Sequence, residues 1–403
     1  MKASAMDIID EIPHRISDEE LLRRWTAVRR EMAARDLDAL VMQNSSDWVG
    51  GMVRWFTDIP ATNGYPRTVI FHADGTMTVI EMGPFESQRI IEHGDPLHRG
   101  VREWVGSPSF VSIVYTQDYD ARLAADALRR RGVRRVGLIG GKALPMALVE
   151  AVRDALPDSR EVVEASDFID PIKAVKSEEE ISFIRQAAAM QDAAFAEVFR
   201  SARPGMRDHE VAGIAWRVCQ SLGGEQGITL GRSSPLGRAS VFAPRFRQGR
   251  KIESGDHLSL LIETNGPGGM YTEIARTLVF GKANAELRDA FDTVHALQDE
   301  TLAHMKPDVA AREIAEAHDD SMRWRGLPPE LRLYSHGQGY DMVERPLIRR
   351  DETMALAAGM NLAVHPGYET PEIFAVICDN YLIERDGPSE CLHRTEKKIF
   401  EIG

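Results

Sequence analysis

Apolar positions at helical spacing open the chain. Leu21, Leu22, Trp25, Val28 and Met32 follow Ser17-Asp18-Glu19-Glu20, a capping-box pattern, and predict a helix over 16–35. A short apolar run predicts a strand over 37–42. Two β-rich segments, 68–71 and 76–80, flank His72-Ala73-Asp74-Gly75 and predict a hairpin. Helical periods over 121–131 and 144–156 enclose a strand at 135–139, whereas 105–115 carries no clear period. Strands alternating with helices over the first ~165 residues predict a small α/β domain.

The texture changes near 167–176, which holds Pro171, Lys173 and Lys176 and leads into a second capping box, Ser177 to Glu180. We place the domain boundary there, giving domains 1–168 and 169–403. Beyond it the pattern predicts helices over 178–201 and 209–222, strands at 258–262 and 276–280, helices over 287–305 and 310–325, and strands at 361–364 and 374–383. Two rounds of helix pair plus strands suggest a pseudo-repeat without a residue-level repeat.

Composition narrows the function. Of 403 residues, 49 are Lys or Arg and 62 are Asp or Glu, a net charge of −13, and there is no basic tract. Such a chain repels phosphate backbones and anionic lipids, so nucleic acid and membrane surfaces are not expected partners. No apolar run approaches the roughly 20 residues that span a bilayer. The opening MKASAMDIIDEIPHR carries acids early and does not fit a signal peptide. Three cysteines, Cys219, Cys378 and Cys391, are too few for a disulfide framework. A cytoplasmic protein is expected.

Four stretches carry candidate chemistry. Residues 255–281 read as strand, Gly/Pro turn and returning strand, with Glu263 and Glu273 bracketing the turn beside apolar residues. A carboxylate there is costly unless paired, although a turn resets side-chain parity and spacing alone does not put both on one face. Tyr334-Ser-His-Gly-Gln-Gly-Tyr-Asp341 sets His336 beside Gly337 and Gly339, which allow close backbone approach. The run 359–367 delivers His365 at a strand end, before Pro366. The run 375–383 carries Cys378, by itself an ordinary core thiol, and Asp379.

In this order, LSLLIETNGPGGMYTEIARTLVFG, SHGQGY, VERP, LAAGMNLAVHPG and AVICDNYLIERDG resemble the catalytic domain of the creatinase/aminopeptidase P/methionine aminopeptidase superfamily, the pita-bread fold. IKAVKSEEEISFIRQAA and RPGMRDHEVA resemble that domain's opening helices, and the first ~165 residues resemble the superfamily's N-terminal domain. The fold class implied is an N-terminal creatinase-like α/β domain followed by a C-terminal α+β pita-bread domain. The resemblance also implies a site of two metal ions held by two Asp, one His and two Glu, and here the chain departs from it. Leu261 stands where the first Asp is usual, with Glu263 two residues on, an offset that resembles the dimethylsulfoniopropionate lyase branch. Glu273 matches the second Asp and His336 the metal His. His365 and Cys378 replace the two Glu, Val343 replaces the substrate-binding His ahead of Glu344 and Pro346, and Ala243 to Phe246 stand where a further His is usual.

A pair of hard ions needs several anionic oxygens, so a dinuclear manganese or cobalt centre is not expected. A metal-free site, with Glu263, Glu273, His336 and His365 as acid–base residues, is the preferred reading. A single ion such as zinc at Glu263, Glu273, His336, His365 and Cys378 is the alternative. Tyr271, Tyr340, Asp341 and Glu344 are expected around the substrate, and Arg276 is expected to brace the fold. Gly64-Tyr65-Pro66-Arg67 resembles a creatinase segment that binds a substrate carboxylate across a dimer. A homodimer is therefore expected, with Arg67 and Trp55 near the partner's cleft and Trp48 capping a pocket. The function expected is hydrolysis of an amide or amidine-like C–N bond in a small molecule. The alternatives are an Xaa-Pro metallopeptidase, a lyase, and an inactive peptide-binding protein.

Overall fold

The computed structural model describes residues 12, 14–46, 51–92, 95–158, 161–386 and 389–403; Trp48 lies outside them. The chain divides into two compact units, Met1–Lys173 and Ala174–Gly403. The division falls inside the helix Ser166–Ala174.

The first unit is built on a mixed sheet of β1 (Ala39–Asn44), β2 (Arg67–His72), β3 (Met77–Glu81), β4 (Gln88–Ile90), β5 (Val101–Gly106), β6 (Val136–Leu138) and β7 (Val162–Glu164), in the order β4-β5-β3-β2-β1-β6-β7. The hairpin β2–β3 turns through Gly75 at φ +103°, a conformation that favours glycine. Helices Gln117–Arg130 and Met146–Ala155 share a core with Val41, Ile70, Ile80 and Val136. Of the unpatterned stretch 105–115, Val105 and Gly106 end β5, and the residues after them are shaped by side-chain bonds. Ser109 Oγ donates to the Thr116 carbonyl (2.7 Å), and Thr116 Oγ1 donates to the Ile113 carbonyl (2.6 Å).

The second unit repeats one plan. Helices Glu178–Ser201 and Asp208–Ser221 cover a sheet of β8 (Gly227–Leu230), β10 (Asp256–Asn265), β11 (Tyr271–Val279) and β19 (Phe400–Glu401), with β9 (Ser234–Pro235) paired to β10. The first of these helices begins on a full capping box: Ser177 Oγ accepts from Glu180 N (3.2 Å) and Glu180 Oε2 accepts from Ser177 N (2.9 Å). Helices Ala285–His304 and Ala311–Trp324 follow. They accompany β12 (Ser335–Gly337), β13 (Glu344–Leu347), β14 (Asn361–Val364), β17 (Asp379–Leu382) and β18 (Glu390–Cys391). A small ladder joins β15 (Gly367–Glu369) and β16 (Phe374–Val376).

The strand expected over 374–383 is broken. β16 pairs with β15, β17 pairs with β14, and the chain changes sheet at Cys378. Cys378 bonds Ala275 in both directions: Ala275 N donates to its carbonyl (3.2 Å), and its own N donates to the Ala275 carbonyl (3.3 Å). Continuous hydrophobicity concealed the break, because both pieces are buried.

The β10–β11 hairpin sorts its side chains by period two. Leu258, Leu260, Ile262, Ile274 and Leu278 pack with Phe195, Val198 and Val211 from the helices. Leu261 and Ala275 pack instead in a separate apolar cluster with Cys378, and Glu263 and Glu273 share their face of the strands.

Candidate active site

The ladder sets Glu263 directly opposite Glu273. The turn between them uses Gly268 at φ +78°, where an added Cβ would lie 2.8 Å from the Phe183 ring. Both carboxyls are buried, and the two are hydrogen-bonded to each other. Burial and the charge of Glu273 push Glu263 well above the usual carboxylate range. Burial alone would raise Glu273 too, but His365, His336, the Cys378 thiol and the Glu263 carboxyl outweigh it and hold Glu273 below its ordinary value. The pair thus keeps one proton, and Glu263 carries it.

Two imidazoles face these acids. His365 Nε2 lies 3.3 Å from Glu273 Oε1; burial pushes this imidazole down to about 4, against the Glu273 charge, which acts to raise it. The His336 ring stands edge-on to that of His365 at 5.3 Å. His336 Nδ1 lies 3.0 Å from the Gly337 carbonyl, an acceptor only, so Nδ1 carries a proton and donates to it. Gly337 is required by close packing, since a Cβ there would meet the Arg345 carbonyl oxygen at 2.6 Å. The Cys378 thiol donates to Glu273 Oε1 (2.8 Å), and burial with the Glu273 charge drives its titration well above the ordinary thiol range.

Three further side chains hold this cluster, and the sequence reading missed them. Gln338 Nε2 donates to Glu263 Oε1 (2.8 Å), and Gln338 Oε1 accepts from Asn380 Nδ2 (2.9 Å). Asn380 Oδ1 accepts from the Glu273 backbone N (2.7 Å), and Asn380 Nδ2 also donates to Asn361 Oδ1 (3.1 Å). All three are buried. The signal available for Asn361 and Asn380 was a polar amide inside an apolar run, which is costly unless it is bonded.

Other expected residues fall elsewhere. Glu344 forms a buried ion pair with Lys176 (2.7 Å) and accepts from the Asp341 backbone N (3.1 Å). Gly339 leaves room for that pair, as a Cβ there would meet Lys176 Nζ at 2.6 Å. Tyr271 and Tyr340 are buried, and Asp341 is half-buried. Arg276 gives its donors to the carbonyls of Ala275, Cys378, Thr395 and Glu396 and to Asp379 Oδ1 (2.7 Å), the bracing role expected of it. In the first unit, Arg67 Nε binds Glu81 (2.6 Å) and Nη1 donates to the Pro60 carbonyl (2.8 Å). Trp55 is fully buried there.

The donor set bears on metal. One oxygen or nitrogen each from Glu273, His336 and His365 lie within 4.8 Å of one another, a spacing that fits one ion. A pair does not fit. Leu261, at the place where the resemblance implies a carboxylate, packs with Ala275, Cys378, Leu230 and Phe242 in an apolar cluster that offers no hard oxygen ligand.

Comparisons with known proteins agree with this architecture. The model of metallopeptidase family M24, whose members normally use divalent metals, matches residues 182–385. The chain is 25% identical over 404 residues to an uncharacterized hydrolase/peptidase, y4tL, of Sinorhizobium fredii, covering 95% of this chain and 97% of that protein. It is 24% identical over 275 residues to the Xaa-Pro dipeptidase of Pyrococcus horikoshii, covering 67% and 76% respectively. Among solved structures, the prolidase of Thermococcus sibiricus superposes with a TM-score of 0.77 at 16% identity, covering 96% of this chain and 100% of that one. The dipeptidase PepE of Mycobacterium ulcerans gives 0.75 at 20% identity, with coverage of 96% and 99%. The chain belongs to metallopeptidase family M24 and, with it, to the creatinase/aminopeptidase P pita-bread superfamily, as a hydrolase acting on C–N bonds.

Proposed function

We propose that this hydrolase cleaves an amide or amidine-like C–N bond in a small molecule, in a site that holds no metal pair. The observation that carries the reading is the apolar cluster of Leu261, Ala275 and Cys378, which occupies the ground a second ion's carboxylates would need. What is left is acid–base machinery. Glu273, ionised, takes a proton from the attacking water, and Glu263, protonated, is the reservoir that returns one to the leaving nitrogen. His365 and His336 stand beside Glu273, each with a ring nitrogen within 4.8 Å of its carboxylate.

A second reading has its own support in the convergence of Glu273, His336 and His365. These residues would hold a single borderline ion, with Cys378 beside them. Such an ion would polarise the scissile bond and acidify water. Under either reading Gln338 fixes the orientation of Glu263.

A panel of small amides, amidines and Xaa-Pro dipeptides tests the function. The reading expects the highest kcat/KM on a non-peptide C–N substrate. A dipeptide exceeding every other substrate by about 10-fold, a difference of roughly 1.4 kcal/mol in the barrier, would overturn it.

A further inference from the structure

In the second unit a groove of about 1110 Å³ is connected through the chain to the cluster just described, although none of the acid–base residues lines it. Three chain segments link them. Leu230 packs in the apolar cluster beside Cys378, and Arg232 two residues on lines the groove. Phe242 packs in the same cluster, and its neighbour Val241 lines the groove. His365 is followed after Pro366 by Gly367 on the groove wall, where Arg332 Nη2 donates to the His365 carbonyl (3.3 Å).

The groove is rich in guanidinium. Arg232, Arg238, Arg247, Arg250 and Arg332 line it, against Glu330 and Glu369. Arg250 is taken by Asp256 and Arg332 by Glu330. The Arg238 and Arg247 side chains are exposed and meet no hydrogen-bond or ion-pair partner among the described residues. Arg232 interacts with Asp208 only at range. In a chain with thirteen surplus acids, this is positive charge that the fold does not neutralise.

From this we infer that the groove is an oxyanion subsite: the substrate carries a carboxylate or phosphate group, held by Arg238 and Arg247 with Arg232, while its scissile bond lies at the acid–base cluster. This rests on the hydrolase reading above and adds the substrate's charge to it. Guanidinium forks bind either oxyanion through paired N–H···O bonds, and a partly walled groove screens them less than open water does. The anion of the substrate would thereby be drawn in against the repulsion of the chain's net charge.

Isothermal titration of the full chain with tricarballylate, a tricarboxylate, and with inorganic phosphate tests the site without turnover. The inference expects at least one of the two anions to bind the wild type and to weaken by at least about 10-fold in Arg238→Ala/Arg247→Ala. Whichever anion binds identifies the substrate's group. Arg312→Ala, which removes an exposed arginine of the helix Ala311–Trp324, should bind as the wild type does. No binding of either anion, binding unchanged in the double variant, or equal weakening in Arg312→Ala would overturn the subsite. Those outcomes leave the hydrolase reading standing, since that reading falls only on the substrate panel.

Discussion

Two carboxyls opposed across a ladder with one proton between them is the arrangement on which this site depends. Ladder register makes it possible: Glu263 and Glu273 are direct partners, so neither escapes the other's field. Sequence spacing did not decide this, because the number of residues that a turn absorbs sets the parity. Here Asn265 pairs with Tyr271, and the five residues between them restore it. Glu273→Gln removes the ionised member while keeping its shape. We expect a folded protein with turnover lowered by at least about 100-fold, measured on the substrate found in the panel. Near-wild-type turnover would mean that Glu273 is not the base. Other residues were legible by type but not by role. His336, His365 and Cys378 lie beside Glu273, whereas Glu344 pairs with Lys176 and Arg67 with Glu81. A sequence shows that a charged residue sits in a motif; it does not show which opposite charge folding brings beside it.

At the scale of elements, local signals were read well and changes of sheet were not. The helix Glu178–Ser201 follows from its capping box and its apolar stripe, both local properties. The break at Cys378 follows from a partner, Ala275, about a hundred positions away in the chain, which no local pattern encodes. Helix pairing carries its own test. His318, on the helix Ala311–Trp324, stacks on Tyr334 with ring centroids 3.9 Å apart, and its Nε2 meets no hydrogen-bond partner among the described residues. Burial pushes its imidazole down to about 4 from 6.5. As pH falls the unfolded chain therefore binds the proton first, and stability is lost from about pH 6.5 downward. His318→Phe keeps the stack and removes the titration. Relative to wild type, the variant should gain about 2 kcal/mol between pH 7.5 and pH 5, read as the change in the difference of unfolding free energies. A difference independent of pH would contradict this account of the helix pair.

The whole molecule joins a family's scaffold to a site that, on the reading proposed here, holds no metal pair. Among the described residues no helix is long and apolar enough to cross a membrane. The M24 match and the superposition on prolidases give the scaffold. Leu261, His365 and Cys378 stand where the resemblance implies carboxylates, and the apolar packing around Leu261 offers no hard oxygen there. The direct measurement is elemental analysis of active protein alongside activity after exhaustive chelation. The account predicts no more than one divalent ion per chain. Two ions per chain, with activity lost on chelation and restored only when both return, would contradict it.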